Sequence, residues 1–295
     1  MILNVSGRTD IIAFYEKWFM NRLNAGFVDV RNPFNPNLVS RINFSDVDLI
    51  LFCTKNPIPI LNDLGKIKIP FIFHVTITPY KNDIEPNVIL KTEIINAVKK
   101  ISTIIGKDNI YIRYDPIFLS DKYNIVYHIK AFNKLCTLLK GYVNTIIVSF
   151  LDEYKNVLKN KNILKYRPIT ENDYKLIGEN FSKIARTNNM VVQTCFEDRN
   201  LTEYGFKKGE CLSHELAYKL TGKTYKSWKA RKERKCECVE MVDIGCYNSC
   251  KHFCKYCYAN YDEKMVNENF KNHDVNSSLL CGNLKKDDII KVRNK

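Results

Sequence analysis

The sequence has no uninterrupted apolar run approaching 18 residues, so it predicts no membrane-spanning helix. Its first residues, MILNVSGRTD, also lack the basic segment and the long apolar stretch of a secretory signal peptide. We therefore expect a soluble protein that works in the cytoplasm.

The chain also lacks the sequence patterns of common hydrolytic and nucleotide-binding sites. It contains no GxxxxGK segment and no arrangement of residues that indicates a catalytic triad. Its histidines are few and scattered along the chain: His74, His128, His214, His252 and His273. Hydrolysis by an activated nucleophile therefore has no support in the sequence.

Cysteine, by contrast, is abundant, with 11 among 295 residues. In a cytosolic chain of this length, clustered cysteines bind metal or carry out redox chemistry more often than they form disulfides. Cys53 lies in an apolar strand and Cys136 in a predicted helix, so we expect both to be structural, and Cys281 stands alone in the tail. The other eight form one group along the chain: Cys195, Cys211, Cys236, Cys238, Cys246, Cys250, Cys254 and Cys257.

Positive charge is concentrated in one segment. The chain has a formal net charge of +14, and residues 219–235 hold eight Lys or Arg and one Glu. With Tyr225 and Trp228 among these charges, the segment could bind nucleic acid through phosphates and base stacking. Two other interpretations stay open: a general excess of lysine in this composition, or charges that offset thiolates nearby.

Short β-branched and apolar segments alternate with amphipathic segments along most of the chain. This alternation predicts an α/β fold with a parallel sheet, either a barrel or an open sheet. The predicted helices span residues 10–24, 91–105, 124–140 and 171–187. The predicted strands span residues 2–6, 26–30, 48–53, 71–77, 110–114, 145–150, 190–195 and 240–245.

Polar residues follow the predicted strands directly. Because functional groups collect at the carboxyl ends of parallel strands, we expect these residues to converge on one rim. The alternative for each is a local role in a loop, such as Asp10 capping the first helix. The rim residues are Arg8, Asp10, Arg31, Asn32, Lys55, Asn56, Arg113, Asp115 and Asp152.

The segment CKHFCKYCYAN, residues 250–260, places Cys250, Cys254 and Cys257 at spacings of three and then two intervening residues. A structural zinc site usually needs four ligands, and His252 is the only histidine close by. Three thiolates can instead hold a four-iron cluster by three of its irons and leave the fourth iron to an outside ligand. A structural zinc site is the alternative interpretation.

The CxxxCxxC spacing, with the aromatic Tyr256 before its last cysteine, resembles the cluster motif of the radical S-adenosylmethionine (SAM) superfamily. That resemblance implies an enzyme that cleaves SAM reductively at a [4Fe-4S] cluster. The 5′-deoxyadenosyl radical so formed would abstract hydrogen from a substrate that the sequence does not identify. It also implies a reductant such as flavodoxin or ferredoxin.

Several segments together resemble an uncharacterised family of domains of unknown function whose members carry such a cysteine cluster at their carboxyl end. RYDPI and TKNP are also similar to the spore photoproduct lyase branch of radical enzymes. The segments are SGRTDI, VRNPFNP, TKNP, RYDPI, VSFLDEY and DIGCYNSCKHFCKYCYAN.

The resemblance implies a partial (β/α) barrel of radical SAM type. In that superfamily the motif follows the first strand, whereas here it follows EMVDIG near the carboxyl terminus. A circular permutation accounts for this position, with EMVDIG as the first barrel strand and ILNVS as the second. We expect a barrel portion over residues 1–196, a cysteine-rich cluster-binding region over residues 197–262 that completes the barrel, and a polar tail over residues 263–295.

Family members similarly carry cysteines at four further places. The resemblance therefore implies a second site, either an auxiliary iron–sulfur cluster, which we favour, or a structural zinc ion. Its ligands would be Cys195, Cys211, Cys236 and Cys238.

The remaining assignments concern the cofactor and the substrate. Tyr256 and Asn260 are expected beside the cofactor, because the cluster loop must meet the adenosine, and Ser6, Gly7 and Arg8 stand where the superfamily places a segment that binds the cofactor's amino group. Arg113 and Lys55 are candidates for pairing with the cofactor carboxylate or an anionic substrate, and Asp115 and Asp10 for binding ribose hydroxyls. The alternative function is a non-enzymatic iron–sulfur or zinc protein that binds nucleic acid through residues 219–235.

Overall fold

The computed structural model describes residues 1–195, 197–228 and 237–293. These residues form eleven strands. The strands are β1 (Ile2–Val5), β2 (Phe27–Arg31), β3 (Leu38–Asn43), β4 (Leu49–Thr54), β5 (Phe71–Thr76), β6 (Ile110–Ile117), β7 (Thr145–Phe150), β8 (Val191–Thr194), β9 (Lys207–Lys208), β10 (Val242–Asp243) and β11 (Ile289–Val292).

Nine α-helices accompany these strands in the described part of the chain. They are α1 (Ile11–Phe14), α2 (Glu16–Ala25), α3 (Lys91–Ile105), α4 (Ile125–Leu139), α5 (Lys155–Lys159), α6 (Lys161–Leu164), α7 (Glu171–Thr187), α8 (His214–Thr221) and α9 (Glu263–Lys271). Among them there is no helix long and apolar enough to cross a membrane.

Eight strands form one parallel sheet in the order β10-β1-β4-β5-β6-β7-β8-β9. The prediction of an α/β fold with a parallel sheet is confirmed. The sheet is not closed into a barrel within the described residues, because β10 and β9 are its edges and do not pair with each other. It follows that the described fold is an open sheet.

The first and last strands of the sheet's chain order lie side by side. Residues Leu3 and Asn4 of β1 pair with Val242 and Asp243 of β10 in parallel register. The predicted adjacency of EMVDIG and ILNVS is therefore confirmed. The loop that follows β10 consequently emerges at the same edge of the sheet as the turn that follows β1.

The two faces of the main sheet are covered differently. One face packs against the amphipathic helices, and Phe132 of α4 stacks on Phe181 of α7 with ring centroids 3.8 Å apart. On the other face, Ala217 of α8 packs with Leu51 and Met241 in a smaller apolar cluster. Apolar burial on both faces explains the nearly continuous apolar sequence of these strands.

Two predicted rim residues lie outside the main sheet. The strand predicted at residues 26–30 forms as β2, but it belongs to a separate sheet of order β11-β3-β2. There β2 pairs antiparallel with β3, and Arg31 forms an ion pair with Asp288. The expectation that Arg31 and Asn32 join the rim is therefore wrong, because their strand pairs with β3 and not with β1.

Candidate metal centre

A cavity of about 400 Å³ opens at the carboxyl ends of the main-sheet strands. It brings together most of the residues that the sequence singled out, from segments far apart in the chain. These lining residues are Ser6, Gly7, Arg8, Asp10, Lys55, Arg113, Asp115, Asp152, Cys195, Cys211, Cys250, Cys254, Tyr256 and Cys257.

The loop carrying Cys250, Cys254 and Cys257 follows β10 and has no helix or strand of its own. Asn248 fixes its shape, because its side-chain oxygen accepts hydrogen bonds from the backbone N–H groups of Tyr261 at 2.8 Å and Asp262 at 3.1 Å. Internal hydrogen bonds of this kind replace those of regular secondary structure. The loop therefore presents its three thiols from a fixed backbone.

Cys250 is buried and Cys254 and Cys257 are half-buried, and the surroundings of all three thiols disfavour their ionisation. Burial raises the pKa of Cys254 to about 12, although Lys55 lowers it, and burial also raises the pKa of Cys257. Burial, Asp10 and the other two thiols raise the pKa of Cys250 well above its usual range. Thiolates at these three positions would repel one another, and a bound metal centre would supply the positive charge that offsets this repulsion. The donor set therefore fits such a centre.

Asn260 lies within the same loop and does not line the cavity. Its side-chain oxygen accepts a hydrogen bond from the backbone N–H of Cys250 at 3.3 Å, and its amide donates to the Cys250 carbonyl. The Asn260 side chain thus fixes the backbone of Cys250, one of the three cysteines of this loop. Its expected place as a neighbour of the adenosine stays a prediction.

Lys55 joins the cavity to a buried carboxylate. Its ammonium donates to Glu85 Oε1 at 2.9 Å, and the hydroxyl of Tyr256 donates to the same oxygen. Burial alone would raise the pKa of Glu85, but Lys55 and Lys91 outweigh it and lower that pKa to about 2. Glu85 therefore stays charged and holds both Lys55 and Tyr256 in place.

Asp10 has three partners. Its carboxylate accepts from the backbone N–H of Ala13 at 3.0 Å, which caps α1, and from the N–H of Lys55 at 2.7 Å. The Nε2 atom of His252 lies 2.9 Å from the same carboxylate. The local capping role of Asp10 is therefore present, and it ties the cluster loop to β1 and β4.

Asp243, at the end of β10, organises the turn after β1. Its carboxylate accepts from Ser6 Oγ at 3.1 Å, from the backbone N–H of Gly7 and from Arg8 Nε at 3.0 Å. A Cβ atom on Gly7 would lie 3.0 Å from this carboxylate, so the close approach favours glycine. The cofactor candidates Ser6, Gly7 and Arg8 therefore form a turn fixed by one carboxylate.

The second cysteine set is also assembled. The sulfur atoms of Cys195, Cys211 and Cys238 all lie within 4.8 Å of one another, so they could hold a metal ion. The fourth predicted ligand, Cys236, lies outside the described residues. Thiols at this spacing favour a shared metal over isolated buried side chains.

Arg113 and Asp115 lie beside this second set. Arg113 donates to Asp115 Oδ2 from Nε at 2.9 Å and from Nη2 at 2.6 Å, and Nη1 donates to Cys211 Sγ at 3.1 Å. Asp115 also accepts from the hydroxyl of Ser149. The Arg113 guanidinium therefore bridges the Asp115 carboxylate and the sulfur of Cys211, a possible metal ligand, at the cavity wall.

A protonated carboxyl group lies on the wall formed by the ends of β7 and β8. Glu197 accepts a hydrogen bond from the backbone N–H of Phe150 at 2.8 Å. Burial, together with the charges of Asp115 and Asp152, raises the pKa of Glu197 to about 8. Glu197 therefore carries a proton at neutral pH and can donate a hydrogen bond into the cavity.

Some sequence predictions fall outside this cavity. Asn56 uses its side chain in a turn, where it accepts from the backbone N–H of Ile58 at 3.1 Å. Residues 229–235 of the basic segment lie outside the described residues. Trp228 lines the cavity, so the described end of that segment reaches the site.

Sequence reasoning missed Glu85, Asp243 and Glu197. Glu197 comes shortly after the strand predicted at residues 190–195, which is the signal that identified the other rim residues, whereas Asp243 lies inside the strand predicted at residues 240–245. Glu85 follows no predicted strand, and its partner Tyr256 is 171 positions away. No local pattern could have identified Glu85.

Comparison with known families gives one match. The family model described as Domain of unknown function (DUF1848) matches residues 2–259. No curated protein and no solved structure matches the chain. The matched range includes both cysteine sets and ends before α9.

Proposed function

The chain belongs to the DUF1848 family, and we propose that it is a radical SAM enzyme. One observation carries the proposal: Cys250, Cys254 and Cys257 share one cavity with the polar ends of parallel strands. Pockets at this edge of a parallel sheet are where α/β enzymes bind their ligands. A cluster bound there would have its fourth iron next to space for a cofactor.

The three thiols suit a cluster better than a single ion. Among the described residues, the sulfur atoms of the second set all lie within 4.8 Å of one another. The sulfur atoms of Cys250, Cys254 and Cys257 do not form a group as close as that. A four-iron cluster spreads its ligands, because each cysteine binds a different iron. When bound, the cluster and SAM supply a 5′-deoxyadenosyl radical for hydrogen abstraction from substrate.

The residues around the loop would prepare it for this cofactor. Lys55 places a positive charge near Cys254, where it stabilises the thiolate. The turn of Ser6, Gly7 and Arg8 lies against the loop, because the hydroxyl of Tyr258 donates to the Gly7 carbonyl. These contacts leave a polar edge beside the cluster loop for the amino acid part of the cofactor.

The strand order supports the same interpretation. The loop follows β10, and β1 lies next to β10 in parallel register. A circularly permuted barrel of radical SAM type begins with this pair of strands. The partial barrel of the proposal corresponds to the open sheet β10-β1-β4-β5-β6-β7-β8-β9.

At the second cysteine set, the auxiliary iron–sulfur cluster expected from the sequence is the alternative to a single metal ion. Cys236 is outside the described residues, and the three described thiols lie closer together than the ligands of a cluster would. The roles of Arg113, Asp115 and Lys55 toward cofactor or substrate also stay predictions.

The test is reductive cleavage of SAM by the anaerobically reconstituted full-length protein, with dithionite in place of a physiological reductant such as flavodoxin or ferredoxin. We expect chromatography to detect 5′-deoxyadenosine and methionine in equal amounts. The triple variant with Cys250, Cys254 and Cys257 all changed to Ala should reduce the rate by at least about 100-fold, since the open iron is lost.

The matched control is Cys136→Ala, which removes a buried thiol from α4 outside the cavity. It should retain both iron and cleavage. The proposal fails if the wild-type protein binds iron and forms no 5′-deoxyadenosine, or if the triple variant forms it equally fast.

A further inference from the structure

Cys195, Cys211 and Cys238 are packed more tightly than the cluster loop. The sulfur atoms of Cys195 and Cys211 lie 3.0 Å apart, and the backbone N–H of Cys211 donates to Cys238 Sγ at 3.2 Å. All three sulfur atoms lie within 4.8 Å of one another. Contacts this short bring the three lone-pair donors toward one point.

The spacing identifies the size of the ligand. A tetrahedral ion with metal–sulfur bonds of about 2.3 Å places its thiolates roughly 3.8 Å apart. The sulfur spacing of this set is within reach of that value, with small side-chain adjustments. A four-iron cluster requires wider separation, because its thiolates bind different irons.

The charges also suit one divalent ion. Three thiolates carry three negative charges and a divalent ion supplies two positive charges, while the Arg113 guanidinium, which also pairs with Asp115, places further positive charge beside the set. Arg113 Nη1 donates to Cys211 Sγ at 3.1 Å, so the balancing charge touches a ligand. The bonds of this guanidinium to Asp115 fix its orientation.

We propose that Cys195, Cys211 and Cys238 hold a single divalent ion of the zinc class, so that the two cysteine sets of this protein bind different metals. Binding releases thiol protons to solvent as the thiolates form bonds to the ion. The fourth position falls to a donor beyond these three thiols.

The ion would join three parts of the chain that are separate in sequence. Cys195 follows β8, Cys211 precedes α8, and Cys238 lies in the segment that leads to β10. Backbone bonds already connect two of these parts, since Val239 N–H donates to the Leu212 carbonyl at 3.2 Å. The ion would therefore fix the cavity wall that carries Arg113, and iron would bind only at the loop with Cys250, Cys254 and Cys257.

The test is elemental analysis of the full-length protein, purified anaerobically without added iron or zinc, in wild-type form and in two triple variants. Changing Cys195, Cys211 and Cys238 to Ser should remove about one zinc-class ion per chain and leave iron bound. Changing Cys250, Cys254 and Cys257 to Ala should remove iron and leave that ion. The matched control, Cys246→Ser with Cys281→Ser, changes two neighbouring thiols outside both sets and should keep both metals.

If the variant with Cys195, Cys211 and Cys238 changed to Ser does not fold, the absorption spectrum of bound Co²⁺ tests the same site. In the background with Cys250, Cys254 and Cys257 changed to Ala, Co²⁺ should give intense thiolate-to-cobalt absorption and tetrahedral ligand-field bands. Iron lost with Cys195, Cys211 and Cys238, or no thiolate-bound cobalt, would overturn the inference. Zinc-class metal retained in a protein that forms no 5′-deoxyadenosine would refute the proposed function and leave this inference standing.

Discussion

The carboxylate of Glu85 is buried behind the cavity wall and has four donors around it. Thr78 Oγ1 donates at 2.6 Å and Lys55 Nζ at 2.9 Å, and Lys91 and Tyr256 also donate. Removing one member of a buried ion pair leaves the other charges without compensation, which costs more than the pair itself contributes. Glu85 is thus the residue on which the position of Lys55 depends.

We expect Glu85→Gln to lower the free energy of unfolding by about 3 kcal/mol at pH 7. The folded-state pKa of Glu85, about 2, is depressed below its ordinary value of 4.5. Its contribution is therefore present above pH 4.5 and is lost as the pH falls toward 2. Urea unfolding at pH 7 and pH 3 should show the difference between wild type and variant shrinking at the lower pH.

The control for this prediction is Glu263→Gln, which breaks the ion pair between the exposed Glu263 carboxylate and Lys255. An exposed pair contributes little, so this change should cost less than about 0.5 kcal/mol. Equal effects of the two substitutions at pH 7 would show that Glu85 is not the buried anchor described.

Single residues also show what the sequence could predict of the site. Lys55 was predictable because it directly follows an apolar strand, and Arg113 because it lies near the end of the strand predicted at residues 110–114, although β6 continues to Ile117. Their partners were less predictable. Glu85 is paired through a long-range contact, and Asp243 meets Gly7 across 236 positions, so only the tertiary fold brings them together.

At the scale of elements, hydrophobic pattern predicted where strands lie better than it predicted their partners. The segment at residues 26–30 is a strand, but it pairs with β3, which was not predicted. Strand β3 is only partly buried and contains the polar residues Ser40 and Arg41, which weakens its apolar signal. The pattern of apolar residues shows which side chains are buried. Which strands pair depends also on the turn that connects them, and the apolar pattern does not determine it.

The region predicted as a polar tail packs on the described fold. Trp18 Nε1 donates to the Ser277 carbonyl at 2.8 Å, and Arg22 Nη2 donates to the Asn276 carbonyl at 2.9 Å. Leu279 and Leu280 are buried. Backbone carbonyls and a few apolar side chains make this interface, so the polar composition of the tail did not reveal it.

We expect a chain ending at Asp262 to lose about 5 kcal/mol or more of its free energy of unfolding, because several hydrogen bonds and buried apolar side chains are lost. A chain ending at Asp288 is the control. It lacks only β11 and the residues after it, and β11 is exposed along its length. Urea unfolding should separate the two truncations clearly, and a small loss in both would contradict the packing described.

At the scale of the whole molecule, the pairing of two neighbouring strands at one edge of the main sheet explains where the loop with Cys250, Cys254 and Cys257 lies. Pairing of β10 with β1 places a motif near the carboxyl terminus beside the first strand of the chain. The sequence predicted this adjacency, because EMVDIG and the cysteine motif resemble a first strand with its loop. The sequence left a barrel and an open sheet as alternatives, because closure depends on strand tilt and register and not on composition, and the sheet is open in the described residues.

The most direct test of the whole account is an electron paramagnetic resonance spectrum of the anaerobically reconstituted, dithionite-reduced protein, recorded with and without SAM. We expect a reduced four-iron signal that changes on adding SAM, because the open iron of the cluster gains a ligand. Changing Cys250, Cys254 and Cys257 to Ala should abolish that signal, and Cys136→Ala should keep it. A four-iron signal that SAM does not alter, or a silent spectrum from a protein that holds zinc in place of iron at this loop, would contradict the account.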